Sequence, residues 1–188
     1  SSAASDVYKR QEKDIYLSNG DRQVTISPNC YLMQTKDHGI IAFEIQLEAT
    51  NNKLSTKYVF KINISGKNIQ FSIPLNKRLV LFDKNKNYCI LTYSAGGGYT
   101  EFYAKSGFSI TVHTNFVIDE PNIEKLKGLE HTYMMRIETE TSFLEVESLY
   151  SSKSEGYDYQ PSISEFMLES ISLAQKTILK SSDDLLKF

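Results

Sequence analysis

Little in this chain is suited to metal or redox chemistry. Its 188 residues hold two cysteines and three histidines, and no CxxC or Cys/His spacing groups them as zinc ligands would be grouped. The formal net charge is only −2, with acidic and basic residues interleaved, so no basic stripe is present that could track a phosphate backbone. No apolar run reaches the length of a membrane-spanning helix. Catalytic signatures are equally scarce: there is neither a nucleophile elbow nor a P-loop. The sequence therefore points to no cofactor, no nucleic-acid partner and no transmembrane segment.

What the chain does have is alternation. Asp14-Ile-Tyr-Leu-Ser and Gln23-Val-Thr-Ile-Ser flank Asn19-Gly20-Asp21, a strong hairpin signal. Ile41, Phe43, Ile45 and Leu47 alternate with Ala42, Glu44 and Gln46, which marks a core strand with a wet outer face, and residues 58–64 are its expected neighbour. Pro28 breaks one strand and Pro74 ends another, the one that starts at Ile69. Residues 79–82 and 89–93 are more continuously apolar, as strands covered on both faces would be. Turn signals about every 8–12 residues are the mark of an all-β sandwich or barrel.

The stretch 108–149 is the most explicit. Even positions from Phe108 to Ile118 are almost all apolar and odd ones mostly polar. Asp119 then caps a short helix with Pro121 in its first turn, Ile118 and Ile123 at staple spacing, and Gly128 as its stop. Residues 132–138 and 142–148 form a hairpin in which Arg136 should face Glu145, with Met135, Ile137, Leu144 and Val146 turned inward. Farther on, residues 151–160 form a polar linker, and Ser162-Ile-Ser-Glu165 is a capping box. Ile163, Met167, Ile171, Ala174 and Ile178 follow it at helical spacing.

Two resemblances bear on identity. Arg78-Leu-Val-Leu-Phe-Asp83, Tyr88-Cys-Ile-Leu-Thr-Tyr93, Asn122-Ile-Glu-Lys-Leu-Lys127 and Met135-Arg-Ile-Glu-Thr139 are together similar to a group of uncharacterised secreted or envelope β-proteins of gut anaerobes. That resemblance covers about half the chain and implies a fold and an exported location, with no activity. Ser1-Ser-Ala-Ala-Ser-Asp-Val-Tyr-Lys-Arg-Gln11 resembles the in-frame translation of a sequencing-library adaptor. Residues 1–11 are therefore expected to be non-native and to pack against nothing, with a signal peptide expected in a true N-terminus upstream.

Several features could carry chemistry, and each has a plainer reading. Asp83-Lys-Asn-Lys-Asn87 begins like a calcium loop but lacks the sixth-position Gly and the terminal Glu, so a hairpin turn is expected. Cys30 and Cys89 leave room for one disulfide, against Cys89 as a small buried strand residue. His38, His113 and His131 read as scattered surface residues, and Asn63-Ile-Ser65 matches a glycosylation sequon. Ala95-Gly-Gly-Gly98 is an inter-strand loop bracketed by tyrosines. Strand periodicity puts Tyr99, Glu101 and Tyr103 on one face, so Tyr93, Tyr99, Glu101 and Tyr103 make a candidate platform for a glycan. Glu101, Glu138, Glu145 and Glu147 could instead include a glycosidase pair.

The expectation is a single all-β, mainly antiparallel sandwich- or barrel-like domain over residues 12–188, with a short helix near 120–127 and a C-terminal helix near 162–180. Its expected role is a non-catalytic, secreted or envelope-associated binding or structural module. A glycan or another envelope protein is the anticipated partner, and a carbohydrate-active hydrolase with paired outer-face carboxylates is the alternative.

Overall fold

The computed structural model describes residues 12–67, 69, 77–94, 99–103, 109–150 and 160–184, with backbone alone for 99–103, 109 and 181–184. The expected adaptor segment 1–11, the strand after Ile69, the glycine loop 95–98 and most of the linker, 151–159, lie outside the described residues.

Among the described residues, eleven strands form one antiparallel sheet: β1 Glu12–Tyr16, β2 Arg22–Ile26, β3 Asn29–Thr35, β4 Ile40–Asn51, β5 Thr56–Gly66, β6 Arg78–Phe82, β7 Tyr88–Tyr93, β8 Tyr99–Tyr103, β9 Ser109–Ile118, β10 Met134–Glu138 and β11 Phe143–Leu149. Helix α1 spans Glu120–Lys127 and helix α2 spans Ile163–Asp184. Eight strands, in the order β3, β4, β5, β9, β7, β6, β10 and β11, close into a barrel through the β3–β11 pairing. The expected all-β fold with two helices is therefore the one observed, and its closed form is the barrel.

Two long strands organise it. One edge of β4 carries β3 along 40–45 and β2 along 48–51, while its other edge pairs with β5. Strand β9 does the same, pairing with β5 on one edge and with β8 and β7 in succession on the other. The sequence break at Pro28 is a bulge between two strands that follow the same edge of β4. From Thr25↔Glu48 to Asn29↔Ile45 that side advances four residues against three on β4, so inward positions switch from Val24 and Ile26 to Tyr31 and Met33.

An eight-stranded barrel is just wide enough for side chains to fill, and here Phe43, Ile45, Leu47, Phe60, Ile62, Phe116, Leu81, Met135 and Val146 do so with no exposed surface. Among these apolar side chains stands Thr114, fully buried, whose hydroxyl has no hydrogen-bond partner among the described residues. In the β10–β11 hairpin Met135 pairs with Val146, Arg136 with Glu145 and Ile137 with Leu144, the register read from the sequence. Arg136 also lies 5.3 Å and 5.2 Å above the rings of Phe82 and Phe143.

Local caps explain the helices. The Asp119 carboxylate accepts from Asn122 N–H at 3.0 Å, while Gly128 ends α1 in a right-handed conformation. Glycine is conformationally required instead at Gly20, where the β1–β2 turn has φ +88°. At α2, Ser162 Oγ accepts from Glu165 N–H at 3.3 Å and the Glu165 carboxylate accepts from Ser162 N–H at 3.1 Å. The segment entering α2 is held by Tyr31 and Tyr133, whose hydroxyls donate to the carbonyls of Pro161 (3.0 Å) and Gln160 (2.7 Å).

The helix packs against β2, β4 and α1, so Ile163, Phe166, Met167, Ile171 and Ala174 continue the barrel core. Arg22, 8% exposed, fastens its far end: Nε and Nη2 donate to Asp14, and the guanidinium also reaches the carbonyls of Thr177 and Ile178 at 3.1 Å. The hydrogen bonds from Arg22 hold the Asp14 carboxyl below the usual carboxylate range.

Candidate ligand-binding face

Alternation that sends odd residues of β4 and even residues of β5 and β9 into the core leaves the opposite set on the outer side. That set is polar, and because the three strands are in register it forms transverse rows. The first row is Cys30, Glu44, Asn63 and His113, contributed by β3, β4, β5 and β9. Glu44 can only accept, so the Asn63 amide turns its NH2 toward it, donating at 3.0 Å. The Asn63 carbonyl oxygen then faces His113 Nδ1 at 2.6 Å, which makes Nδ1 the protonated nitrogen. On either side, Ser65 and Thr111 share a hydroxyl hydrogen bond of 2.9 Å, and Lys61 pairs with Glu48 at 2.7 Å.

Where this face meets the β1–β2 turn and the end of β7, it opens into a groove of about 450 Å³. Lys61 and Glu48 line it as a closed ion pair, Val59 forms an apolar patch, and Asp21 and Lys57 stand on it from β2's side and from β5. Ser94 enters because its N–H donates to Asn115 O at 2.8 Å, which draws the end of β7 against β9. Ser94 is 4% exposed and no hydrogen bond of its hydroxyl is found among the described residues; the Asn115 amide beside it is half-buried and similarly unengaged.

The residues chosen from sequence divide between two sides of the sheet. Tyr93 pairs with Phe116 and so stands on the core-facing side. Tyr99, Glu101 and Tyr103 pair with His113, Thr111 and Ser109, which places them at register positions of the polar outer face. Their side chains lie outside the described residues. The backbone thus brings Tyr99 beside the Glu44–Asn63–His113 row and sets Tyr93 apart from it.

The alternative carboxylates lie on another wall. Glu138 is bound by Arg78 through contacts of 2.5 Å and 3.0 Å, and the Arg78 hydrogen bond holds its carboxyl below the usual range. Glu145 is shared by Arg136 at 3.0 Å and Lys36 at 4.0 Å, and Glu147 is exposed on the same convex strand. The 450 Å³ groove takes its lining from none of the three.

Other sequence candidates resolve plainly. Asp83 is buried, and burial alone would raise its pKa. Its carboxylate nevertheless accepts from Asn85 N–H, both nitrogens of Asn87 and Glu130 N–H, which together leave the pKa lowered. Those bonds build a hairpin turn out of the suspected calcium loop, and no group of His, Cys, Asp and Glu that could hold a metal occurs among the described residues. Both cysteines are free: Cys30 is exposed, and Cys89 is a buried strand residue whose thiol burial pushes up to about 11. His113 is not a surface histidine as expected, because its Nδ1 is engaged by Asn63 and its Nε2 is enclosed. His131 does lie at the surface, 2.5 Å from Glu165. Asn63 of the sequon has its amide committed on both sides within a strand.

Sequence reasoning placed Glu44, Gln46 and Asn115 on the outer face but missed the outer-face roles of Asn63 and Ser94. The period-2 pattern of β5 would have placed Asn63, whereas the burial of Ser94 depends on the β7–β9 contact and has no local signal. No helix among the described residues is long and apolar enough to cross a membrane. No protein-family model, no curated protein and no solved structure matches the chain.

Proposed function

We propose that the protein is a non-catalytic binding module, exported or envelope-associated, that takes a small polar ligand in the groove on the outer face of β4, β5 and β9. The observation that carries this reading is Ser94, 4% exposed and with no hydroxyl partner among the described residues, lining a groove of about 450 Å³ beside an Asn115 amide likewise unengaged among them. A ligand hydrogen bond to that hydroxyl, exchanged for one to solvent, adds about 0.5–1.5 kcal/mol. The volume suits a small molecule, whose sites run roughly 300–1,000 Å³. Exported location rests on the resemblance carried by the strands around Arg78–Phe82 and Tyr88–Tyr93.

The hydrolase reading has one observation in its favour, since Asp21 and Glu48 line the same groove. Glu48 is nonetheless tied to Lys61 at 2.7 Å, which suits a fixed recognition group better than a proton donor.

Glycan and small-metabolite arrays probed with the intact protein, Ser94→Val and Asn115→Leu test the proposal. Ligands retained by the intact protein should be lost by both variants, with circular dichroism unchanged. A Tyr99→Ala, Tyr103→Ala double variant reports whether β8 extends the site. Identical profiles from all four folded proteins would remove the groove from consideration, and turnover of a chromogenic glycoside abolished by Glu48→Gln would favour the hydrolase.

A further inference from the structure

The charges of the groove narrow the class of ligand, on the footing that the groove is the binding site. Lys61 and Glu48 neutralise one another. Lys57 is exposed and makes no ion pair among the described residues, and the Asp21 carboxylate accepts only from the neutral Asn19 amide at 3.0 Å. The groove therefore presents one uncompensated cation and one uncompensated anion, and they approach it from different strands. Lys57 on β5 pairs with Thr50 on β4, which pairs in turn with Gln23 on β2, two residues after Asp21. With strands about 4.8 Å apart, β5 and β2 stand roughly 10 Å apart across β4, before the side chains reach inward. Between the two charges lies the neutral Thr50 of β4, while Val59, Ser94 and Asn115 line the end of the groove toward β9.

From this arrangement we infer that the groove binds a small zwitterion, a short peptide with free termini, its ammonium toward Asp21 and its carboxylate toward Lys57. A neutral sugar would leave both charges without partners. A simple anion or cation would meet a repelling charge at one end. A dipeptide satisfies both ends, and its amide lies over Thr50 of β4, whose side chain lines the groove between β2 and β5. These end contacts are exposed to solvent, so their effect is moderate and falls as salt rises.

Calorimetric titration of the intact protein, Asp21→Asn, Lys57→Gln and Ser94→Val tests this with four probes: glycylglycine, its N-acetyl form, its C-terminal amide, and maltose. Glycylglycine should bind the intact protein, and each capped form should bind about tenfold more weakly, the equivalent of about 1.4 kcal/mol. In Asp21→Asn, acetylation should make no further difference, and in Lys57→Gln, amidation should make none. Capped and free peptides binding alike, or glycylglycine giving no heat, overturns the inference. Maltose binding that Ser94→Val abolishes but Asp21→Asn and Lys57→Gln leave intact also overturns it while preserving the groove. Glycylglycine binding left unchanged by both Asp21→Asn and Lys57→Gln removes the groove as the site.

Discussion

Replacing Thr114 by valine should stabilise this protein. Thr114 sits in β9 opposite Ile62, flanked on the same face by Val112 and Phe116, fully buried and with its hydroxyl unpartnered. Valine keeps the two branches at Cβ, and with them the stiff χ1 preference and the suitability for a strand. It exchanges only the hydroxyl for a methyl group. A buried, unsatisfied hydroxyl costs about 1–3 kcal/mol, so Thr114→Val should raise the unfolding free energy by about 1–2 kcal/mol. For a chain of this length each kcal/mol is worth about 2–4 °C in Tm. Urea denaturation followed by far-UV circular dichroism and tyrosine fluorescence, the chain having no tryptophan, measures the gain as a higher midpoint at constant slope. Thr114→Ser is the companion: it retains the hydroxyl, leaves a methyl-sized void and should cost about 0.5–1.5 kcal/mol. A Thr114→Val protein less stable than the wild type, with an unchanged slope, would mean the hydroxyl is bonded and the reasoning fails.

The Asp14–Arg22 contact should make stability acid-sensitive. Asp14 has a folded pKa below its ordinary value, chiefly through the Arg22 hydrogen bond, so its contribution is complete above the ordinary carboxylate range and disappears as pH falls through the lowered value. Wild type should therefore exceed Asp14→Asn in urea midpoint at pH 7 and converge with it under strong acid; a difference that grows on acidification would contradict this. A thiol reagent should modify Cys30 in the native protein and Cys89 only after unfolding, since Cys89 is buried with its thiol pushed up to about 11, and two equally fast native reactions would refute the burial. Ser162→Ala should cost about 0.5–2 kcal/mol by opening the capping box of α2, read as a lower urea midpoint.

The β10–β11 register and both helix starts were legible because local chemistry fixes them: a short turn sets which residues oppose each other, and a Ser or Asp at the right offset satisfies the first free N–H groups. The bulge at Pro28 was legible only as a break. Proline says that the ladder is interrupted, and only the neighbouring strand decides whether the chain leaves the sheet or resumes on it with its faces exchanged. Closure into a barrel had no local signal at all, because β3 and β11 are apolar and alternating whether they pair with each other or lie at two open edges. The same holds for the candidate face. Glu44 and Gln46 announced a solvated side, but His113 read as a surface residue until Asn63 and Glu44 were found in its row, and nothing local marked Ser94.

The seam between β3 and β11 also sets the pace at which the molecule can assemble. Pairings such as β4–β5, β6–β7 and β10–β11 join segments linked by short stretches of chain, whereas the seam brings Thr35 against Val146. Closing so long a loop costs entropy before any contact repays it, and ladders of this kind belong to domains that fold in milliseconds to seconds. During that interval both seam strands offer raw backbone edges to any other chain. A growing polypeptide released before residue 143 would keep the β3 edge open, so the β10–β11 hairpin is the one that seals the barrel.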